Sequence, residues 1–230
     1  MFELNPNLEV KKEYVQDYPI YFVDNFYKNP DEVSDHLFNR DVPLWKIGEQ
    51  PSFNSKHFFD HRLIDHDDRI YPAYKFITEI FDSTYQSDNV VITNMTRFLD
   101  NPFNNYKEKY WWPHVDSESK GRVLNAIVYL NKNEENSGTN LYDPEVMSHP
   151  GWNSRKKYPE HFLCWATKSN FKVIKTFKSI YNRLVIFDGS IPHGMNITND
   201  RFFGNEYRCN QVFFLNKYQR GTQYENEVPT

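Results

Sequence analysis

The spacing of apolar and polar positions divides the chain into two parts with different periods. In the first, Tyr18-Pro19-Ile20-Tyr21-Phe22-Val23 reads as a strand. Asn29 then serves as an N-cap, with Pro30 at the first helical position and Asp31-Glu32 in the first turn, so a helix starts there. Ile70, Tyr74, Ile77, Phe81 and Tyr85 recur at three- and four-residue intervals, which predicts a second helix over 70–85 with a core-facing stripe.

From about Asn89 onward the period shortens. Apolar runs at Val90 to Leu99, Val123 to Leu130, Phe171 to Phe177, Arg183 to Phe187 and Tyr207 to Leu215 alternate with turn signals such as Asn101-Pro102, Asn133 to Gly138, Asp188-Gly189 and Thr198-Asn199-Asp200. Many short strands punctuated in this way predict a mainly β, α+β fold: a sandwich or barrel with helices placed before it. The expected organisation is one domain over 1–230, with 1–88 supporting a β core at 89–215. The stretch from Asp143 to about Asn170, rich in Pro and Trp, follows neither period and is expected to be an insertion near the mouth of a site.

Composition narrows the class. Aromatics make up 17% of the 230 residues and glycine only 8 of them, which suits a packed globule rather than a disordered or fibrous chain. A net charge of -4 gives no general attraction to polyphosphate, so nucleic acid is not expected as a partner. The cluster Arg155-Lys156-Lys157 reads as a solvated loop. Cys164 and Cys209 have neither metal-type nor redox-type spacing and are expected to be buried or free thiols. The opening Met1-Phe2-Glu3-Leu4-Asn5 has no signal-peptide character and no segment approaches a membrane span, so a soluble cytoplasmic protein is expected.

Candidate chemistry lies in His114-Val115-Asp116 and in His193 of Ile191-Pro192-His193-Gly194. Two imidazoles and a carboxylate hold non-haem Fe(II) on one face and leave the other coordination positions open. In an extended backbone, residues two apart point to the same side, so His114 and Asp116 can face one ion. Taken alone, the triplet reads equally well as polar residues at a turn, and His66-Asp67-Asp68 repeats the spacing with nothing downstream to complete it.

Several segments in order alter that balance. His114-Val115-Asp116, Gly121 to Asn131, Ser137-Gly138-Thr139, Asn182 to Phe187, His193 and Tyr207 to Phe214 together resemble the 2-oxoglutarate and Fe(II)-dependent dioxygenases, especially small prolyl-hydroxylase-like members. The resemblance spans roughly residues 90 to 215. It implies a double-stranded β-helix of jelly-roll or cupin-like form, with Fe(II), 2-oxoglutarate as co-substrate and O2. It also implies metal ligation and catalysis by His114, Asp116 and His193.

By the same resemblance, Arg208 would pair with the distal carboxylate of 2-oxoglutarate, a task that suits a planar two-pronged guanidinium. Arg201 is its rival, although it sits in a turn. Tyr129 falls where some members place a tyrosine on that carboxylate, with a plain core tyrosine as the competing reading. Asn125 and Asn210 are further candidates on neighbouring strands. Two positions depart from the family: Phe98 replaces a tyrosine that faces the co-substrate, for which Asn94, Arg97 or Tyr110 could compensate, and the turn is Ser-Gly-Thr rather than Gly-Gly-Thr.

By the same resemblance, Asp116 fills the position that iron halogenases of the superfamily leave open for halide, which favours hydroxylation or a related oxidation. The substrate is not legible in the sequence, since the same scaffold oxidises protein side chains, free amino acids, nucleobases and small metabolites. The resemblance leans towards a prolyl or other side chain in a peptide or a free amino acid, and implies succinate and CO2 as products. Trp111, Trp112, Trp152 and Trp165 could line a substrate groove. His36, His57, His61, His66, His149 and His161 have no matching companions. The rival readings are a non-catalytic β-helix module and a cupin-type metal enzyme that does not use 2-oxoglutarate. Oligomeric state is not legible in the sequence.

Overall fold

The apolar run Val123–Tyr129 occupies an inner position of the larger of two sheets, and both of its faces are covered. The computed structural model describes residues 1–38, 46–47, 58–65, 68–81, 84–98, 113–132, 137–148, 172–196, 201–202 and 206–217. In chain order the elements are β1 (Val10–Val15), β2 (Tyr18–Val23), α1 (Pro30–Phe38), β3 (Lys46–Ile47), β4 (Phe58–Asp65), α2 (Tyr71–Glu79), β5 (Tyr85–Phe98), β6 (Val123–Tyr129), β7 (Thr139–Tyr142), β8 (Val173–Phe177), β9 (Leu184–Asp188), β10 (His193–Met195) and β11 (Arg208–Lys217). An eight-stranded sheet has the order β1-β2-β9-β6-β11-β5-β4-β3, and a three-stranded sheet the order β10-β7-β8. The architecture is mainly β with helices on one outer face. No described helix is long and apolar enough to cross a membrane.

Strand period assigns the two faces of β6. Leu124, Ala126 and Val128 join Val33, Leu37, Ala73, Tyr74 and Ile77 in a core between the large sheet and the helices. Ile127 and Tyr129 point the other way, into a core shared with Leu141 of β7, Phe177 of β8 and Val185 and Phe187 of β9. A strand buried on both faces reads as a continuous apolar run rather than an alternating one. Each Leu, Ile, Val or Phe among them contributes roughly 1.5–3 kcal/mol on burial. The two cores therefore hold β6 and β9 from both sides, and the interior face of β6 is a rigid base for polar groups placed on it.

The predicted helix over 70–85 is shorter than its stripe suggests. A 3-10 turn at Asp68–Ile70 leads into α2, which ends at Glu79. The Thr84 main-chain N–H and hydroxyl both donate to the Phe81 carbonyl, a turn that redirects the chain into β5. Phe81 and Tyr85 remain in the same core because Phe81 stacks edge-on against Tyr21, with centroids 4.9 Å apart, and lies 5.4 Å from Tyr85. The i, i+4 spacing thus continued past the helix end by tertiary packing.

The hairpin β1–β2 adds a strand ahead of the predicted one, pairing Val15 with Tyr18 across Gln16-Asp17, with Gln16 at φ 54°. At the opposite end of β2, the Asn182 side chain accepts from the Tyr27 N–H and donates to the Tyr27 carbonyl, both at 2.8 Å. That pair of hydrogen bonds fastens the N-terminal segment to the turn before β9.

Candidate metal centre

His114 and His193 are brought together by their own main chains. The His114 N–H donates to the His193 carbonyl and the His193 N–H to the His114 carbonyl, both at 2.8 Å. An antiparallel pair that exchanges both bonds has its Cα atoms about 5.5 Å apart. The two rings, on that footing, have centroids 4.3 Å apart. His193 is 5% exposed, with its ring edge-on to Phe187 at 4.9 Å. Its Nδ1 lies 2.8 Å from the Ile191 carbonyl. With Nδ1 donating there, Nε2 is the nitrogen that would meet a bound ion, the usual support for a ligating imidazole.

Asp116 closes the group. One carboxylate oxygen is 3.1 Å from His193 Nε2 and the other 3.8 Å from His114 Nε2. One ligand atom from each of the three residues fits within a span of 4.8 Å. First-row ions hold imidazole nitrogen and carboxylate oxygen at about 2.0–2.2 Å, which places adjacent donors on the order of 3 Å apart. The Asp116–His193 spacing already has that value, and the Asp116–His114 spacing exceeds it by less than 1 Å. The donor set and its spacing therefore fit a divalent ion.

Burial of Asp116 opposes its charged form. The neighbouring charge of His193, their hydrogen bond, the charge of His114 and a hydrogen bond from Asn125 outweigh that cost and hold the carboxyl well below the usual carboxylate range. The Asn125 Nδ2 group donates to Asp116 Oδ2 at 2.5 Å and lies 3.3 Å from His193 Nε2. Its Oδ1 is buried without a hydrogen-bond partner among the described residues. The sequence reading grouped Asn125 with Asn210; the fold sets it instead beside the ligands.

A second polar group occupies the same interior face further along. Asn125 and Tyr129 are four residues apart on β6, about 13 Å along a strand. Tyr129, 1% exposed, donates its hydroxyl to Thr139 Oγ1 at 2.8 Å, and burial pushes its pKa up. Asn210, also buried, pairs with Tyr129 in the β11–β6 register. Arg208, 4% exposed, donates from Nε to the Ser137 carbonyl at 2.6 Å and from Nη2 to the Gly138 carbonyl at 3.3 Å. The Ser137 hydroxyl is buried without a hydrogen-bond partner among the described residues. At Gly138 an added Cβ would lie 1.7 Å from the Phe177 carbonyl oxygen, so this position of the Ser-Gly-Thr turn requires glycine.

Arg201 is elsewhere. Its guanidinium meets Glu206 at 2.8 Å and the Lys132 carbonyl at 2.9 Å, in a partly exposed setting away from this face. His36 packs its ring against Phe2 at 6.1 Å. Cys209 is a buried free thiol.

Several expectations fall outside the described residues: Cys164, Tyr110, the four tryptophans at 111, 112, 152 and 165, the cluster 155–157, His57, His149, His161, and His66-Asp67 of the repeated spacing. Of the 143–170 insertion, only the 3-10 segment Pro144–Ser148 and Asp143 are described. The side chains of Asn94, Arg97 and Phe98 are likewise outside, although β5 pairs Asn94 with Asn210 and Thr96 with Arg208. Asp188 and Gly189 contact the site segments; the sequence marked them only as a turn.

No family model matches the chain, and no curated protein matches it. Among solved structures, it is similar to HygX from Streptomyces hygroscopicus with nickel and 2-oxoglutarate bound, at 11% identity over 87% of this chain and 85% of that one, with a TM-score of 0.47. It is also similar to SnoN, the non-heme alpha-ketoglutarate-dependent epimerase from nogalamycin biosynthesis, at 11% identity over 85% and 76%, TM-score 0.44. A third is a novel N-substituted L-amino acid dioxygenase from Burkholderia ambifaria AMMD, at 11% identity over 87% and 83%, TM-score 0.43. Likeness of this extent carries no argument about function, which rests on the side chains described above.

Proposed function

We propose that the chain is an Fe(II)- and 2-oxoglutarate-dependent oxygenase, built as one domain over 1–230 with a double-stranded β-helix at 89–215. The observation that carries this reading is the trio His114, Asp116 and His193, whose donor atoms fit within 4.8 Å. A buried arginine and tyrosine on the same interior side of the large sheet add to it. Iron bound there supplies activation of O2, coupled to conversion of 2-oxoglutarate to succinate and CO2 and to oxidation of a substrate C–H bond.

The protein's own groups do the positioning. His114 and His193 offer neutral nitrogens and Asp116 an anionic oxygen, so the site presents one negative charge to a divalent ion. Asn125 holds one carboxylate oxygen of Asp116 through its Nδ2 group. Arg208, with Tyr129, Thr139, Ser137 and Asn210 around it, gives the interior face a buried polar region that suits the far carboxylate of a dicarboxylic co-substrate. For substrate, the resemblance favours a prolyl or other side chain in a peptide, or a free amino acid, and retention of Asp116 favours hydroxylation.

The test is anaerobic addition of Fe(II) and then 2-oxoglutarate, followed by visible absorption, with succinate measured after O2 is admitted. Wild-type protein is expected to develop a 2-oxoglutarate-dependent band and to form succinate; His193→Ala is expected to do neither. Undiminished succinate from that variant refutes the assignment.

One observation favours a second reading, a metal enzyme that does not use 2-oxoglutarate: Arg208 already directs two donors at backbone carbonyls, a structural task in itself. Isothermal titration of metal-loaded wild type with 2-oxoglutarate separates the two, since only the first reading predicts saturable binding that Arg208→Ala removes.

A further inference from the structure

Asp188, the last residue of β9, is a buried carboxylate, 5% exposed, that neither reading of the site uses. Its Oδ2 accepts from the Gly121 N–H at 2.6 Å and its Oδ1 from the Ser190 N–H at 2.9 Å. Those donors belong to different segments. Gly121, at φ 71°, lies in the turn that follows the ligand triplet, and Ser190 lies in the turn that leads to His193.

Gly189, between Asp188 and Ser190, completes the junction. Its N–H donates to the Val123 carbonyl at 2.8 Å, and its carbonyl accepts from the N–H groups of Asp116 at 2.8 Å and Ser117 at 3.4 Å. A Cβ at Gly189 would stand 3.2 Å from the Val123 carbonyl oxygen and 3.3 Å from the Asp116 Cβ, so the turn is pressed against the very residue that carries the carboxylate ligand. Two residues further on, the Ile191 carbonyl receives His193 Nδ1.

We infer that Asp188, acting with Gly189, is a positioning residue for the metal ligands: its carboxylate ties the segment bearing Asp116 to the turn that delivers His193. The inference rests on the metal site proposed above. A carboxylate suits the task because it accepts from two N–H groups at once, and such charge-assisted bonds are roughly twice as strong as neutral ones. Asparagine at 188 keeps one acceptor and turns an NH2 toward the other N–H, so it restores only part of the tie.

The test compares wild type with Asp188→Ala, Asp188→Asn and Gly189→Ala, and with Asn182→Ala as a control that breaks a buried tie away from the ligands. Co(II) is the probe, read by its dissociation constant and its visible ligand-field bands, alongside the apo-protein melting temperature. Loss of a group that orients ligands typically costs 10–100-fold in metal affinity, so Asp188→Ala and Gly189→Ala are expected to weaken Co(II) binding by about tenfold or more and to alter the bands. Asp188→Asn is expected to fall between them and wild type.

Asn182→Ala, even with an equal fall in melting temperature, is expected to leave affinity and bands unchanged. Wild-type affinity and bands in the Asp188 and Gly189 variants overturn the inference while the metal site stands, as does an equal loss in Asn182→Ala. Wild type that binds no Co(II) overturns both. Should Asp188→Ala not fold, Asp188→Asn and Gly189→Ala decide the matter.

Discussion

His114 and His193 are directly opposite each other in an isolated antiparallel bridge and exchange both main-chain hydrogen bonds at 2.8 Å. Side chains of residues so paired project to the same side. The nearness of the two imidazoles is thus a property of backbone register, and removing either ring leaves the bridge intact.

That relationship separates two effects of alanine substitution. His114 has a side chain 48% exposed, whereas His193 is 5% exposed and packed on Phe187. Both His114→Ala and His193→Ala are expected to lose stoichiometric Fe(II) or Ni(II), measured by elemental analysis after desalting. Only His193→Ala is expected to destabilise the apo-protein, by about 2 kcal/mol or more through the cavity it leaves. For a chain of this size that is a fall of about 4–8 °C in melting temperature. Equal melting temperatures for the two variants would contradict the packing described for His193.

Acid should release the metal through the imidazoles and not through the carboxylate. Ligand histidines must be neutral to bind, so affinity falls as they protonate. Asp116 has its folded-state pKa lowered from 3.8, and it stays charged well below neutrality. The sign follows from linkage: its contribution to folding is present above 3.8 and is lost as pH falls through the lower folded-state value. Ni(II) retention measured from pH 8 to pH 4 is expected to decline, while apo-protein stability shows Asp116 protonation only below that range. An Asp116→Asn apo-protein whose stability profile matched wild type below pH 4 would refute the second half.

The chain's periodicity disclosed the class of fold and several elements because β2, α1, β6 and β9 are built from residues whose spacing matches their final burial. It missed β1, whose burial pattern runs exposed at five of six positions and so lacks alternation, and whose turn Gln16-Asp17 is not a glycine or asparagine hairpin signal. It overextended α2 because Phe81 and Tyr85 pack in the same core after the helix has ended. At the site, residue type identified His114, Asp116 and His193, but no local signal could tell that Asn125 reaches Asp116 or that Gly189 presses on it. Those contacts depend on which strands become neighbours, and β6 meets β9 only after more than fifty intervening residues.

Cys209 should be inert in the native protein. Burial pushes its thiol pKa up from 9.0 to about 12, opposed by the nearby Arg208 charge. Reaction needs the thiolate and access, and both are denied. Because the folded-state pKa is raised, the stability gained from the neutral thiol is complete below pH 9 and is lost as pH rises towards about 12. Iodoacetamide at pH 8, with sites mapped by peptide mass, is expected to modify Cys209 only after denaturation. Labelling of native protein there at the rate of a small-molecule thiol would show that the β11–α2 core is open.

Gly138 sets a steric limit on the turn that faces Arg208. An added methyl would lie 1.7 Å from the Phe177 carbonyl oxygen and 2.8 Å from its carbon, both backbone atoms of β8, so no side-chain movement relieves the clash. Gly138→Ala is expected to cost about 4 kcal/mol or more, in the range reserved for overpacked or strained positions. Urea unfolding followed by tryptophan fluorescence measures it; a midpoint within error of wild type would mean that β7 and β8 are not in the register described.

Arg208 combines a structural and a binding task, and lysine separates them. The guanidinium serves the Ser137 and Gly138 carbonyls from two different nitrogens, a fork that one ammonium group cannot reproduce. Arg208→Ala strands both carbonyls and is expected to cost about 1–3 kcal/mol, while Arg208→Lys keeps the charge and can restore one bond. If the arginine also grips a carboxylate, lysine should recover much of the apo-protein stability but little of the 2-oxoglutarate affinity, since the two-pronged contact is gone. Thermal unfolding of the apo forms and titration of the Ni(II) forms with 2-oxoglutarate read the two quantities independently. Recovery of both by lysine would reduce Arg208 to a point charge, and recovery of neither would make its role that of fastening the Ser137-Gly138-Thr139 turn.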